Sequence, residues 1–188
     1  GAGGEEEEEV LAVLQSNFLG TRFSLDDTGL TLAAFARATA PEEALRAELA
    51  AVLYDPNFFG RQGPRRMKVG LPPLGADGTP RPRRPRARAE EMARRLARGD
   101  KRHLWAFQNK PPVWAESLGA YVLNFDRRVS MASVKNFQLV AETDWSETHL
   151  QFGRFGRDLF SMDFAWPLSP VQAFGISLSS LDKKLGCD

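Results

Sequence analysis

Few side chains in this sequence could serve as metal ligands, nucleophiles or general acids and bases at neutral pH. The chain has two histidines, His103 and His149, and one cysteine, Cys187. A zinc site needs several such ligands at short spacings, which these residues do not provide. Asp158 and Asp163 could form a carboxylate pair, but their odd spacing puts them on opposite faces of any strand that contains both. The sequence therefore predicts no enzyme, no metal site and no cofactor.

The basic side chains are more informative. The net charge is +1, but the run Glu5–Glu9 contributes five negative charges, so residues 10–188 carry +6. Ten Arg or Lys residues fall between Arg81 and Arg102, which we call the basic segment. This surplus favours an anionic partner such as a phosphorylated lipid, a nucleic acid or an acidic protein. The basic segment has no stacking aromatics among its arginines and no known reader motif, which disfavours nucleic acid.

The length and composition indicate one folded domain. A chain of 188 residues with 43% hydrophobic residues can bury one sizeable core. Residues 1–9 are glycines, an alanine and glutamates with too little apolar surface to order, so we expect disorder there and a folded domain over 10–188. The N-terminal run does not resemble a secretory signal, and a single cysteine requires no oxidising compartment. We expect a cytoplasmic or nuclear monomer.

The N-terminal half gives mixed signals. A strand-and-turn unit is predicted over 16–25, with turn residues at 26–29. The alanine-rich stretch 32–39 has helical propensity, and 46–54 is compatible with either a helix or a buried strand. Six prolines and five glycines predict a long loop over 60–86, followed by a short basic helix over 90–98.

The C-terminal half predicts strands and then one helix. Strands are expected at 121–125 and 134–140, and alternation over 159–166 places Phe160, Met162, Phe164 and Trp166 on one buried face. After Pro167, apolar residues recur every three or four positions among small, uncharged ones. This pattern predicts a helix that is enclosed by protein on nearly all sides.

Several of these segments occur in an order that resembles the Tubby-like family. They are Ser16–Phe23, Leu45–Ala51, Gly63–Met67, Asn109–Trp114, Tyr121–Phe125, Ala132–Gln138 and the C-terminal stretch Pro167–Cys187. The resemblance covers roughly residues 14–188. It implies an α+β fold: a closed, mostly antiparallel β-barrel with the hydrophobic C-terminal helix through its centre. It also implies binding of phosphatidylinositol 4,5-bisphosphate at the inner leaflet, roles in delivering receptors to cilia, and for some members a nuclear role.

The sequence departs from the family pattern in two ways. The strands that normally precede the Ser16–Asn17 pair are missing, so we expect an N-terminally incomplete barrel. The family also has a Lys and an Arg at the positions of Val13 and Gln15, whereas its third phosphate-contacting arginine matches Arg46. Arg46 is thus the one phosphoinositide-binding residue that the resemblance assigns. Its alternative role is that of a solvated side chain, or of one that forms an ion pair near Glu43 or Glu48.

Three functions remain as hypotheses. The first is a non-enzymatic phosphoinositide-binding adaptor, peripheral at the inner plasma membrane or cilium. The second is a protein-interaction module of the same fold that has lost lipid binding because of Val13 and Gln15. The third, disfavoured above, is nucleic-acid binding through the basic segment, which predicts a steep salt dependence.

Overall fold

The computed structural model of the chain describes residues 9–55, 66–117 and 119–182, and its main element is an eight-stranded antiparallel sheet. The strands of the chain are β1 (Val13–Ser16), β2 (Arg22–Asp26), β3 (Glu48–Tyr54), β4 (Met67–Leu71), β5 (Trp105–Asn109), β6 (Val113–Ala115), β7 (Ala120–Val122), β8 (Phe137–Ala141), β9 (Asp144–Arg154) and β10 (Phe160–Phe164). The sheet runs in the order β1-β2-β3-β4-β5-β8-β9-β10, and β6 and β7 form a separate two-stranded ribbon. The helices are α1 (Leu32–Phe35), α2 (Met92–Ala97) and α3 (Pro170–Ser179).

Strand β3 is buried on both faces. Ala50, Val52 and Tyr54 belong to the main core, together with residues from the other strands of the sheet and from α3. Ala51 packs on the opposite face in a smaller cluster with Met92 of α2. Because both faces are apolar, the alternation that marks a half-buried strand is absent, and this explains why 46–54 could be read as helix or strand.

Helix α3 lies against β2, β3 and β10. A capping box defines its start: the Ser169 hydroxyl accepts from the Gln172 N–H at 3.2 Å, and the Gln172 side chain accepts from the Ser169 N–H at 2.9 Å. The Gln172 amide also donates to the Leu49 carbonyl of β3 at 2.8 Å. A Cβ on Gly175 would lie 2.7 Å from the Leu25 side chain, so the helix approaches β2 more closely than alanine would allow.

The predicted antiparallel sheet with a C-terminal helix is confirmed, but the closed barrel is not. Within the described ranges β1 and β10 are the two edges of the sheet and are not hydrogen-bonded to each other. The predicted enclosure of the helix is also wrong on one side, since Phe174 and Leu178 of α3 are 57% and 37% exposed. No described strand pairs with the outer edge of β1 or of β10.

Other predictions from the sequence need correction. The stretch 60–86, which was predicted to be a loop, contains strand β4. A Cβ added to Gly70 of this strand would lie 3.2 Å from the Met92 sulfur. The hairpin turn lies at 17–21, between β1 and β2, and not at 26–29. Only one helical turn, α1, forms within 32–39. On β10, Phe160 and Met162 pack against the core, whereas Phe164 and Trp166 are exposed.

The short basic helix is confirmed as α2. The predicted disorder of 1–9 falls, except for Glu9, outside the described residues, as does the end of the C-terminal stretch, 183–188. In the ranges that the structure describes, the helices are too short or too polar to cross a bilayer.

Candidate anion-binding cavity

A surface cavity of about 370 Å³ lies where the β1–β2 hairpin, the segment before β3 and the basic segment meet. The β1–β2 turn contributes Ser16 and Asn17 to its wall. Its charged lining residues are the arginines Arg22, Arg46 and Arg88 and the carboxylates Asp26, Glu48 and Glu91. Whether an anion can enter depends on which of these charges are already paired. We call this space the Arg46 cavity.

The backbone fixes the position of Arg46. Its N–H donates to the Leu30 carbonyl at 2.9 Å, and its Nε donates to the Gly29 carbonyl at 3.3 Å. A Cβ on Gly29 would lie 2.7 Å from the Arg46 Cα, so glycine is required for this close approach. The side chain is only 18% exposed. Arg46 is therefore a partly buried cation held in one direction by its neighbours.

Asp26 is the carboxylate within reach of Arg46. Its Oδ2 lies 3.7 Å from Nη1 of Arg46 and accepts from the Ser24 hydroxyl at 3.2 Å. Arg46 therefore pairs with Asp26, and the alternative prediction of an ion pair with Glu43 or Glu48 is wrong. Burial raises the pKa of Asp26 to about 6, although Arg46 and Ser24 both act to lower it. Near neutral pH an ionised Asp26 would compete with an incoming phosphate for Arg46.

Glu48 and Glu91 have partners outside the cavity. The Glu48 side chain accepts from the Met92 N–H at 2.7 Å, at the start of α2, and from Nε of Arg83 at 3.1 Å. Burial raises the pKa of Glu48 to about 7, against the opposing Met92 hydrogen bond and Arg83 charge. Glu91 pairs with Nε of Arg94 at 2.8 Å. Glu48 thus holds the basic segment against the sheet, whereas Glu91 forms an ion pair within that segment, and each carboxylate is partly neutralised by an arginine.

Arg22 and Arg88 differ from Arg46 in having no side-chain hydrogen bond or ion pair within the described ranges. Arg22 is half-buried at the start of β2, and Arg88 is exposed in a short 3-10 helix before α2. A phosphate in the cavity could bind these two guanidinium groups without displacing a carboxylate. They are the cations most available to an anion at this site.

The structure brings Arg46 together with Gln15, one of the two positions where the resemblance implies a lost cation. Val13 and Gln15 lie two residues apart in β1 and so on the same face of the strand. Gln15 lines the cavity, and Val13 is paired in register with Asp26. One of the two positions, Gln15, therefore lies at the cavity that contains Arg46, whereas Val13 lies two residues away in β1 and does not line the cavity.

Sequence reasoning identified Arg46 but did not assign Arg22 or Arg88 to the site. Arg22 directly follows the turn of the first hairpin, and this position in the sequence could have indicated that it belongs to the site. Arg88 lies 42 positions from Arg46, in a segment that is held against the fold by Glu48 and by further ion pairs such as that of Arg84 with Asp27. Lys68 of β4 is another cation within the stretch that resembles the family, and it does not line the cavity.

Most cations of the basic segment are already paired. Seven of its ten Arg and Lys residues form ion pairs with carboxylates: Arg83, Arg84, Arg86, Arg94, Arg95, Lys101 and Arg102. A second cavity of about 500 Å³ lies along this segment and is lined by Arg81 and His103 together with paired arginines, Glu42 and Glu90. Its arginines other than Arg81 are already ion-paired, whereas two arginines of the Arg46 cavity have no side-chain partner in the described ranges, so the Arg46 cavity is the better anion site.

The described residues contain no group of three or more His, Cys, Asp or Glu side chains that could hold a metal ion. His149 is buried, with Nδ1 2.9 Å from the Trp166 carbonyl and its ring against Phe107. Cys187 lies outside the described residues.

The comparisons with known proteins agree with the resemblance seen in the sequence. A model of the Tub family matches residues 3–183. Tubby-related protein 1 of Mus musculus is 42% identical over 188 residues, which cover 96% of this chain and 33% of that protein. Tubby-related protein 3 of Homo sapiens is 39% identical, covering 97% of this chain and 41% of that protein, and Tubby protein homolog 1 of Caenorhabditis elegans is 39% identical, covering 97% and 43%. The chain thus spans a third to two-fifths of the length of these relatives. It belongs to the Tub family.

Proposed function

We propose that this chain is a non-enzymatic phosphoinositide-binding adaptor that attaches peripherally to the inner plasma membrane or cilium and takes part in receptor trafficking. The observation that carries this proposal is the Arg46 cavity, which is lined by one partly buried arginine and by two arginines that have no side-chain partner among the described residues. Family membership and the match of Arg46 to the family's phosphate-contacting arginine support it.

The chemistry of the cavity suits a phosphorylated inositol ring. Guanidinium groups donate parallel hydrogen bonds to phosphate oxygens, and such charge-assisted bonds are stronger than neutral ones. Arg22 and Arg88 replace in number, though not in position, the two cations lost at Val13 and Gln15. A volume of about 370 Å³ falls in the range of small-ligand sites. An inositol bisphosphate headgroup would gain more from three cations than a lipid with one phosphate.

Vesicle sedimentation tests the proposal. The protein is mixed with vesicles of phosphatidylcholine and phosphatidylserine, with or without phosphatidylinositol 4,5-bisphosphate, and the bound fraction is measured. We expect binding that depends on the phosphoinositide and falls about tenfold or more in Arg46→Ala, because a hydrogen bond to a charged group contributes about 1.5–3 kcal/mol. The matched control is Arg102→Ala, which removes an arginine that is 82% exposed and outside both cavities.

The same experiment separates the proposal from its main alternative. A folded protein that sediments equally with both vesicle types, and equally after Arg46→Ala, would overturn the proposal. That outcome would favour a protein-interaction module of the same fold, as the substitutions at Val13 and Gln15 suggest.

A further inference from the structure

The turn between β1 and β2 presents an exposed apolar tip directly beside the Arg46 cavity. Phe18 is 83% exposed, the largest exposure among the large hydrophobic side chains in the described ranges, and Leu19 is 38% exposed. The two residues on the N-terminal side of Phe18, Ser16 and Asn17, line the cavity, and so does Arg22 at the other end of the turn. The apolar tip and the cations therefore belong to one surface.

Hydrogen bonds make this tip a fixed turn. The Asn17 side-chain oxygen accepts from the N–H groups of Thr21 and Arg22 at 2.9 and 3.0 Å, and its amide donates to the Thr21 hydroxyl at 3.0 Å. The Asn17 carbonyl accepts from the Gly20 N–H at 3.1 Å, and Gly20 has the left-handed φ of 67° that such a turn favours. The polar backbone of the turn is thus largely satisfied internally while Phe18 points to solvent.

We propose that Phe18, with Leu19, is a membrane-inserting finger that enters the boundary between headgroups and acyl chains when a phosphoinositide headgroup occupies the Arg46 cavity. This inference rests on the proposed function and adds a second, apolar contact to it. Charge complementarity identifies the occupant, because the tip is bordered by Arg22 and the cavity cations, which an anionic bilayer surface would attract.

The geometry also explains why an exposed phenylalanine would be useful here. A headgroup site alone holds a lipid by its phosphates and would bind the soluble headgroup equally well. An aromatic side chain inserted beside it adds apolar burial that only a bilayer can supply. Because the turn is already ordered, little conformational entropy would be lost on insertion.

The chain contains a matched control for this finger. The turn between β9 and β10 carries Phe155 and Leu159, which are 55% and 66% exposed. The neighbouring guanidinium, that of Arg154, donates to the carbonyls of Gly156 and Arg157 within its own turn. This second tip is apolar and exposed, but it does not line either cavity. We expect Phe155 to contribute nothing to vesicle binding.

The test compares two ligands: vesicles that contain phosphatidylinositol 4,5-bisphosphate, and soluble inositol 1,4,5-trisphosphate measured by calorimetry. We expect Phe18→Ser to weaken vesicle binding about tenfold and to leave binding of the soluble headgroup unchanged, because about that factor follows from burying much of one phenylalanine side chain. Arg46→Ala should weaken both, and Phe155→Ser neither. Circular dichroism and urea unfolding serve as the control that Phe18→Ser, a surface change, folds normally.

A direct measurement supplements these variants. Phe18→Trp and Phe155→Trp are compared in vesicles with brominated acyl chains, where the native tryptophans give the same background in both proteins. We expect additional quenching for Phe18→Trp alone. If phosphoinositide-dependent binding is lost in Arg46→Ala but unchanged in Phe18→Ser, and Phe18→Trp is not quenched, the finger is overturned while the proposed function stands. If no variant and no wild-type protein binds either ligand, the proposed function fails first.

Discussion

The Arg46 cavity and the basic segment use arginine in opposite ways. The basic segment has ten Arg or Lys residues within 22 positions, yet seven of them are ion-paired with nearby carboxylates. The Arg46 cavity draws its three arginines from positions far apart in the sequence, and two of them are without side-chain partners in the described ranges. A dense run of cations can therefore serve mainly to hold its segment against the rest of the fold through ion pairs, whereas a sparse set can form the available anion site.

This difference follows from what anchors each region. Glu48 of β3 binds Arg83 and the start of α2, so one buried carboxylate draws the basic segment against the sheet. The anchoring also carries Arg88 to the cavity. The basic segment thus contributes structure through most of its arginines, and to the candidate site it contributes Arg88, which has no side-chain partner among the described residues.

The largest effect should come from removing that anchor. Glu48→Ala leaves the Arg83 charge, only 16% exposed, without its partner and the buried Met92 N–H without an acceptor. Breaking a buried pair in this way costs about 3–5 kcal/mol, so we expect a loss of that order in the free energy of unfolding, measured by urea denaturation.

Glu48→Gln is the control for that variant. The raised pKa of Glu48, about 7, means that a neutral side chain is tolerated at this position, and glutamine still offers an acceptor to Met92. It should lose clearly less stability than Glu48→Ala. Equal losses in the two variants would show that the charge, and not the hydrogen bond to α2, dominates the anchor.

A matched pair within the basic segment tests the comparison directly. Arg88 lines the cavity and has no partner within the described ranges, whereas Arg86, two positions earlier, pairs with Glu42 outside it. We expect Arg88→Ala to weaken binding to vesicles with phosphatidylinositol 4,5-bisphosphate by about tenfold, through the loss of one charge-assisted contact. Arg86→Ala should change it by less than about twofold, since exposed ion pairs contribute little. Equal effects of the two variants would mean that total charge, and not the cavity, determines binding.

How much of this could be read from the sequence differs between fold and site. The sheet, the basic helix and the C-terminal helix follow from local alternation, helical propensity and the spacing of apolar residues after Pro167, and were predicted. Strand β4 was missed because prolines and glycines surround it, and its pairing with β3 and β5 is a tertiary effect. The open edge of the sheet could not be derived from local patterns, since closure depends on the pairing of β1 and β10.

Of the site residues, only the one within a recognised family motif was predicted. Arg46 lies in a recognisable segment, but its partner Asp26 was not predicted, because the pair joins two segments through the parallel bridge between Leu30 and Leu45. The exposure of Phe18 was also missed: the residue falls within the strand-and-turn unit predicted over 16–25, and the turn that begins at Asn17 places it at the tip.

A smaller effect should come from Asp26, the carboxylate that restrains Arg46. Asp26→Asn keeps the shape and removes the competing charge, so we expect vesicle binding to strengthen several-fold at about pH 7.5. In the wild type, the pKa of about 6 means that acidification from about pH 7.5 to about pH 5.5 protonates Asp26 and should produce part of the same gain. The lipid phosphates titrate as well, and the pH dependence of binding that remains in Asp26→Asn measures their contribution. A wild type and a variant with the same pH profile would contradict the role of Asp26.

The same pKa shift has a consequence for stability. The folded chain binds the Asp26 proton more tightly than the unfolded chain, whose pKa is near 3.8, so this group adds stability below that value and the contribution is lost as the pH rises through about 6. In Asp26→Asn that dependence disappears. Urea unfolding at several pH values, compared between wild type and variant, isolates the contribution of this one carboxyl group from that of Glu48.

The smallest effect is expected for nucleic acid at the basic segment. Each phosphate that a protein neutralises on a single strand adds about −0.7 to the slope of log K against log salt concentration, and seven of the ten cations here are held by carboxylates. Fluorescence anisotropy with a labelled single-stranded oligonucleotide should show only weak binding, with a slope no steeper than about −2, as three uncompensated cations would give. A slope of about −5 or steeper would mean that the arginines exchange their carboxylate partners for phosphates. The ion pairs would then be a reserve of positive charge, and the distinction between the basic segment and the Arg46 cavity would be one of affinity and not of kind.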